Sequence, residues 1–182
     1  MITHFACAIA SASQSLPKGS SAQTSGLVSP SPAAARALAE YEPDPEKLAR
    51  RAMAKRLGLQ IRETGFLAHT ELRAGSSLDG DIDDFRAVVE IKCPKTTTHL
   101  NYIEGKALPE DYHGQVLHNL FVSQAEVLYF GSFDDRLPPH LQLFMVEVKA
   151  QDMPLEEYER DLRTFLQQLE GRIQALATPQ PA

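Results

Sequence analysis

Apolar residues recur along the chain with two periods, the period of an amphipathic helix and that of a strand. Recurrence every three to four residues predicts a helix, and short β-branched or aromatic runs bounded by Pro, Gly or Asp predict strands. The predicted elements in chain order are a helix over 43–59, extended segments over 60–72 and 86–94, a helix over 109–124, strands over 125–133 and 141–150, and a helix over 154–177. This order predicts an α/β (α+β) fold with a central mixed β-sheet flanked by helices.

The last predicted helix carries the most regular apolar stripe of the chain. Its members are Leu155, Tyr158, Leu162, Phe165, Leu166, Leu169, Ile173 and Leu176. A stripe at this spacing is either part of the core or a seam between subunits. The pattern leaves both interpretations open, and it contains no chemistry.

Composition separates the first 35 residues from the rest. Residues 1–35 are rich in Ser, Ala and Pro and nearly free of charge and of bulky apolar side chains. Such a segment buries too little surface to offset the entropy of ordering the chain. We therefore predict a low-complexity, disordered segment over 1–35 and one folded domain over 36–182.

The overall charge narrows the class of protein. A net charge of −6 argues against a protein that coats nucleic acid, but it is compatible with an enzyme that has an acidic metal site. No apolar run is long enough to span a bilayer, so we expect no membrane partner. The 2 cysteines form no disulfide framework, which favours a reducing cytoplasm.

Four aspartates, at positions 79, 81, 83 and 84, stand just before a predicted strand. Clusters of Asp and Gly most often form solvated turns, and a hairpin fits here. Asp79, Asp81, Asp83 and Glu90 also match carboxylate positions of a calcium-binding EF-hand loop. However, Asp84 occupies the position that requires glycine, and a proline lies where the second helix should run. The calcium-binding interpretation therefore fails.

Alternation along the strand that follows indicates a different metal site. Glu90 and Lys92 lie on one face, while Val89, Ile91 and Cys93 point to the core. We expect Asp79 to approach Glu90 and Lys92 across the hairpin, so that two carboxylates and a lysine converge.

Carboxylate oxygens at this point would bind Mg²⁺, with the backbone carbonyl of Ile91 as a further ligand. A bound metal lowers the pKa of its water, and Lys92 would orient that water or offset charge on a phosphate. The pattern thus favours a magnesium-dependent nuclease with Asp79, Glu90 and Lys92 as catalytic residues.

The stretch GSSLDGDIDDFRAVVEIKCPKTTTH, residues 75–99, resembles the core of the lambda-exonuclease and YqaJ-type viral recombinase family, within the PD-(D/E)xK nuclease superfamily. That family carries S-P-D-G, a hairpin, an E-x-K-C-P strand and a Ser/Thr-rich loop. Asp79, Glu90 and Lys92 match its central residues, and Cys93, Pro94 and Thr96 continue the match. Leu78 stands where the family has proline.

Two further blocks agree with the family in order and spacing. PEKLARRAMAKRLGL, residues 45–59, supplies Glu46, which resembles the family's helical carboxylate at the metal site. The helix around residues 112–115 supplies the Tyr-x-x-Gln pattern with Tyr112 and Gln115. The resemblance implies a restriction-endonuclease-like core in which Glu46 is also a catalytic residue and metal ligand, and Gln115 is also catalytic.

DNA contacts are expected from residues beside this site. Lys95 follows the E-x-K strand and is the best phosphate-binding candidate, with Thr96 next to it. Tyr112 precedes Gln115 on the same helix. Arg50 is one of five basic residues on the first predicted helix, which also carries Glu46.

The resemblance implies a Mg²⁺-dependent exonuclease, with Mn²⁺ as a substitute, that digests duplex DNA from its end in the 5′→3′ direction. It further implies a homo-oligomer, a single-strand annealing partner protein and the cytoplasm of a bacterial host cell. Two alternatives stay open: a repair endonuclease on the same core, or a catalytically decayed DNA-binding or assembly protein. Decay is favoured by the N-terminus, which has no arginine before Arg36, whereas the family has one; the intact Asp79, Glu90 and Lys92 argue against it.

Overall fold

A four-stranded mixed sheet forms the centre of the computed structural model, which describes residues 44–177. The strands are β1 (Phe66–Ala68), β2 (Gly75–Ser77), β3 (Gly80–Ile82), β4 (Ala87–Lys92), β5 (Val127–Phe133) and β6 (Leu143–Lys149). The helices are α1 (Pro45–Leu57), α2 (Thr96–Gly105), α3 (His113–Ser123) and α4 (Leu155–Ala177), with short 3-10 turns at Glu110–Tyr112 and Ala150–Asp152. The domain boundary predicted between residues 35 and 36 lies outside the described residues.

The strand order of the main sheet is β3-β4-β5-β6. β4 pairs in parallel with β5, with Val89 opposite Tyr129, while β3 and β6 are antiparallel to their neighbours. A parallel pair needs a long connection, and α2 and α3 supply it between β4 and β5. β1 and β2 form a separate antiparallel pair. The predicted α/β fold with a mixed sheet flanked by helices is confirmed.

Apolar residues bury both faces of this sheet. Val89 and Ile91 of β4 pack with Ala49 and Met53 of α1 in one cluster. The second cluster contains Val88, Val116, Leu120, Leu128 and Phe130. Because side chains alternate along a strand, Glu90 and Lys92 lie on the same face as Val88, toward α3. The register of β4 therefore directs both charged residues to one side of the sheet.

The family resemblance predicts a Ser/Thr-rich loop after β4. This prediction is wrong, because residues 96–105 form helix α2. Threonines are weak helix formers, so local sequence does not explain this helix. The ring of His99 is fully buried, with Nδ1 2.7 Å from the Ser132 hydroxyl and Nε2 2.8 Å from the Leu141 carbonyl oxygen. These contacts anchor α2 to the end of β5 and to the segment before β6.

The apolar stripe of α4 is divided between core and surface. Tyr158 and Leu162 are buried, whereas Phe165, Leu169, Ile173 and Leu176 are exposed. The first half of α4 therefore packs on the domain, and the second half presents an apolar face. No helix between residues 44 and 177 combines the length and apolar character that a membrane crossing requires.

Candidate active site

The four aspartates of the acidic stretch before β4 lie in three different environments. Asp83 and Asp84 form the turn between β3 and β4, with φ of 52° and 51°. Asp81 is 2% exposed and accepts two hydrogen bonds of 2.9 Å from Arg62. Burial is the largest single influence and works against its charge, but hydrogen bonds from Arg62, Thr64 and the backbone, together with the charge of Arg62, outweigh burial and lower the pKa of Asp81. Asp79 is the aspartate that remains for a metal.

Asp79 lies at the edge of the sheet, immediately before β3. Its Oδ2 accepts a hydrogen bond of 2.6 Å from the backbone N–H of Ile91. In a longer β3, that N–H would have bonded to the backbone of β3. The N–H and C=O of one strand residue point to the same side, so the Ile91 carbonyl lies on the edge that Asp79 occupies. Burial raises the pKa of Asp79, against the effect of this hydrogen bond. The predicted ligand pair of a carboxylate and a backbone carbonyl is thus adjacent.

Glu90 is the most buried carboxylate of the site, with 1% of the residue exposed. Its Oε1 lies 2.5 Å from Nζ of Lys92 and accepts a hydrogen bond of 2.6 Å from Nε2 of Gln115. Burial raises the pKa of Glu90 to about 7, although Lys92 lowers it, and the charge of Asp79 raises it further. The structure therefore brings Asp79, Glu90, Lys92 and Gln115 together.

Two residues at the site were missed by the sequence analysis. Nδ2 of Asn119 donates to Oε2 of Glu90 at 2.7 Å, and the Ser76 hydroxyl donates to Oδ1 of Asn119 at 2.5 Å. Asn119 stands one helical turn after Gln115 and shares its face, so helical spacing could have revealed it. Nothing in the sequence singles out Ser76, since its contact spans 43 residues.

Lys92 reaches solvent at one side of the site. Its side chain is 25% exposed, and Nζ lies 5.1 Å from the centre of the Tyr112 ring. Tyr112 in turn packs against Phe130, with ring centres 5.2 Å apart. The predicted DNA-binding Tyr112 is thus a wall of the site beside Lys92. Cys93 is exposed, contrary to the prediction that it points to the core, because β4 ends at Lys92.

Arg50 connects α1 to the site from within the protein. Its Nε donates to the backbone carbonyl of Asp79 at 2.8 Å, Nη2 to Glu46 at 2.6 Å and Nη1 to Glu63 at 3.3 Å. The residue is only 9% exposed, so its guanidinium faces protein groups and not an open DNA surface. The interaction with Asp79 could not be read from the family pattern, and it holds the backbone next to a carboxylate of the site.

The contacts of Glu46 differ from those of Asp79 and Glu90. α1 packs on the Val89 and Ile91 face of β4, opposite the face that carries Glu90. Among residues 44–177, no three Asp, Glu, His or Cys side chains come together as metal ligands. Glu46 is instead linked to Asp79 through Arg50. The expectation that Glu46 is a ligand of a shared metal stays a prediction.

The two predicted DNA contacts after β4 differ in their surroundings. The hydroxyl of Thr96 bonds to the buried carboxylate of Asp134, which Arg136 also holds with hydrogen bonds of 2.7 and 3.0 Å. Thr96 therefore ties the start of α2 to the end of β5. Lys95 is exposed immediately before the first turn of α2. Of the two, Lys95 is the exposed residue.

The donor set fits a hard divalent cation. Mg²⁺ typically uses one or two carboxylates and keeps several waters, so Asp79, Glu90 and the Ile91 carbonyl suffice. Burial raises the pKa of both carboxylates, which means that their hydrogen bonds and the charge of Lys92 compensate only in part for the burial of their negative charge. A divalent cation between them would supply that compensation. Mn²⁺ accepts the same oxygen ligands.

A mixed sheet with an aspartate at its edge, and a Glu-x-Lys pair on the next strand, places this protein in the class of PD-(D/E)xK nuclease folds. The chain belongs to the family described as the YqaJ-like viral recombinase domain, whose model matches residues 8–126. This match confirms the resemblance stated from the sequence, and it includes residues 8–43, which lie outside the described part.

Solved structures agree with the family. The chain is similar to an alkaline exonuclease from Laribacter hongkongensis, with 31% identity and a TM-score of 0.67 over 72% of this chain and 68% of that one. A second structure of that enzyme, in complex with dAMP, matches with the same identity and TM-score. A phage-related exonuclease from Haemophilus somnus shares the fold, with 11% identity and a TM-score of 0.58 over 72% of this chain and 70% of that one. A sequence search of curated proteins found no match.

Proposed function

We propose that this protein is a Mg²⁺-dependent DNA exonuclease that hydrolyses phosphodiester bonds from the end of duplex DNA, in the 5′→3′ direction. The observation that carries the proposal is the convergence of Asp79, Glu90 and Lys92 at the sheet edge. Membership in the family and the 31% identical alkaline exonuclease support nuclease activity. The dAMP bound to that enzyme is a deoxynucleoside monophosphate, the kind of product that digestion of DNA releases. The 5′→3′ direction rests on the sequence resemblance.

Asp79, Glu90 and the carbonyl of Ile91 are the groups that would hold Mg²⁺. When bound there, the metal supplies a water of lowered pKa and polarises a phosphate oxygen. The protein contributes a rigid frame: Asp79 is fixed by the Ile91 N–H, and Glu90 by hydrogen bonds to both of its oxygens. Both carboxylates are held in place before binding, which lowers the entropy cost of assembling the site.

Lys92 supplies the positive charge of the protein nearest to the reacting phosphate. Its ammonium already lies against Glu90, and the part of the side chain that reaches solvent can face a bound DNA end. An ammonium in this position stabilises the negative charge that grows on the phosphate. It can also keep its proton or donate it to a water within hydrogen-bonding distance. Gln115 keeps Glu90 oriented toward Lys92 while the substrate enters.

DNA contacts beyond the scissile phosphate are proposed for Lys95 and Tyr112. Lys95 is exposed at the start of α2, where unpaired backbone N–H groups add to its attraction for a phosphate. The Tyr112 ring, beside Lys92, offers a face for a base or sugar of the terminal nucleotide. Arg50 and Thr96 support the site from within, because their polar groups contact protein carboxylates.

Assembly is a separate part of the proposal. The exposed apolar face of α4, formed by Phe165, Leu169, Ile173 and Leu176, supports a homo-oligomer that covers it. A single-strand annealing partner and a bacterial cytoplasmic setting rest on the sequence resemblance. Light scattering of the wild type and of Ile173→Glu would test the oligomer, and we expect the variant to have the smaller mass. Equal monomeric masses would contradict it.

One digestion experiment tests the activity. Linear duplex DNA labelled at its 5′ or 3′ end is incubated with Mg²⁺, with Mn²⁺ or with EDTA, and closed circular DNA serves as the control for endonuclease action. We expect metal-dependent release of nucleotides from linear DNA, with the 5′ label lost first, and no cleavage of circles. Asp79→Asn keeps the size of the side chain and removes its charge, so it should be inactive.

Other outcomes separate the alternatives. Cleavage of closed circles would favour a repair endonuclease on this core. Wild-type protein that binds linear DNA but cleaves none of it with either metal would favour a decayed DNA-binding protein.

A further inference from the structure

Glu90 is held by α3 at both of its oxygens. Gln115 donates to Oε1 and Asn119 to Oε2, with distances of 2.6 and 2.7 Å. The two residues are one helical turn apart, so a single helix face grips the whole carboxylate. Gln115 belongs to the family's Tyr-x-x-Gln pattern, whereas Asn119 does not. Asn119 therefore requires an explanation of its own.

When Glu90 is ionised, the amide of Asn119 has only one orientation that satisfies its neighbours. An ionised carboxylate accepts hydrogen bonds and cannot donate, so the amide nitrogen must face Glu90. The Ser76 hydroxyl then donates to the amide oxygen at 2.5 Å. All three residues are buried, with 1% of Asn119 and of Glu90 and 8% of Ser76 exposed. The hydroxyl thus fixes the amide, and the amide fixes the plane of the carboxylate.

The position of Ser76 couples the two carboxylates of the site. Ser76 is on β2, and the chain continues directly from it to Asp79. The same segment therefore supplies one carboxylate itself and orients the other through Asn119. A shift of β2 would move Asp79 and rotate Glu90 together.

We propose that Ser76 and Asn119 are positioning residues that set the carboxylate of Glu90 for binding a divalent cation next to Asp79. Neither touches the reacting atoms, and Ser76 acts only through Asn119. This inference rests on the proposed function in so far as the metal serves DNA cleavage. It concerns metal binding itself, which is measured without DNA.

The test uses Mn²⁺ alone as the probe, with the full-length protein and isothermal calorimetry. Asn119→Leu keeps the volume of the side chain and removes the donor, and we expect it to weaken Mn²⁺ binding about 10- to 100-fold, the usual effect of losing such a supporting hydrogen bond. Ser76→Ala should weaken it less, by roughly threefold or more, and Ser76→Thr, which restores the hydroxyl, should recover the affinity.

The double variant distinguishes positioning from a general structural effect. Because Ser76 acts through Asn119, combining Ser76→Ala with Asn119→Leu should weaken Mn²⁺ binding no more than Asn119→Leu alone. Ser123→Ala is the matched control: its hydroxyl bonds at 2.6 Å to the backbone oxygen of Asn119 on the same helix and does not touch Glu90. It should leave the Mn²⁺ affinity unchanged.

Two results would overturn the inference: folded Asn119→Leu with wild-type Mn²⁺ affinity, or additive losses in the double variant. If Asn119→Leu does not fold, the Mn²⁺ affinity of Ser76→Ala is the deciding measurement. Wild-type affinity in Ser76→Ala would then overturn the inference. Failure of the proposed function looks different, since wild type would then bind Mn²⁺ with the predicted dependence on Asn119 but cleave no DNA. Wild type that binds no Mn²⁺ would overturn both.

Discussion

The raised pKa of Glu90 predicts how pH and metal together control the stability of this protein. The folded-state pKa is about 7, whereas an exposed glutamate, as in the unfolded chain, has a pKa of 4.5. Between these two values the folded protein binds a proton that the unfolded chain has released. The metal-free protein is therefore stabilised fully below pH 4.5, and this stability is lost as the pH rises through 7.

The size of the effect follows from the two pKa values. A difference of about 2.5 pKa units corresponds to roughly 3 kcal/mol between the protonated and ionised forms. For a domain of this size, that amount shifts the melting temperature by roughly 10 °C. Asp79 acts in the same direction, because burial raises its pKa as well. A divalent cation at the ionised carboxylates should reverse the loss, since it binds the charged form.

The assay is thermal melting of metal-free protein at pH 5 and pH 8, with and without Mg²⁺. We expect metal-free wild type to melt at a lower temperature at pH 8, and Mg²⁺ to raise the melting temperature at pH 8 much more than at pH 5. Glu90→Gln is the matched control, because it keeps the shape of the side chain and cannot ionise. It should lose most of both effects. Equal pH dependence in wild type and Glu90→Gln would refute the argument.

Three further changes test other parts of the site and core. Lys92→Met should slow DNA cleavage about 100-fold or more yet leave Mn²⁺ affinity undiminished, because an ammonium is not a ligand; a large loss of affinity in calorimetry would show that Lys92 instead organises the carboxylates. Arg50→Met removes a charged hydrogen bond to the backbone of Asp79, so the free energy of unfolding should fall by about 2 kcal/mol while DNA affinity in Ca²⁺ stays unchanged. Weaker DNA binding by the variant would instead support the prediction that Arg50 contacts DNA. Gly131→Ala would place a methyl group against the side chain of Met53, which should lower the free energy of unfolding in urea by about 1–3 kcal/mol. The smaller side chain of Met53→Ala should reduce this loss. An equal loss with Met53 and with Met53→Ala would contradict this packing.

The sequence predicted the arrangement along β4 because alternation is a local property. Val89 and Ile91 form one core cluster and Val88 belongs to the other, so the face of Glu90 and Lys92 follows from the pleat alone. The hairpin before β4 and the helix that carries Gln115 were also predicted, and each depends on residues that are close in the chain. The mixed sheet was predicted from the order of the elements.

Helix α2 shows where local patterns fail. Its threonines favour extended structure or turns, and the family pattern suggested a loop. His99 of this helix makes hydrogen bonds to Ser132 and to the Leu141 carbonyl, 33 and 42 residues away. Such partners become neighbours only after β5 and β6 have paired. A prediction from a single stretch of sequence therefore has no access to the interactions that decide this element.

Charged residues near the site could be identified from the sequence, but their partners could not. Asp79 and Asp81 are two residues apart and have the same functional group, yet Asp79 has a raised pKa at the sheet edge and Asp81 a lowered one beside Arg62. Arg50 was expected to contact DNA, and it binds Glu46 and the backbone of Asp79. In both cases the deciding quantity is whether a charge is already compensated within the protein. An uncompensated buried carboxylate attracts a cation, whereas a compensated one holds the fold, and only the folded structure separates the two.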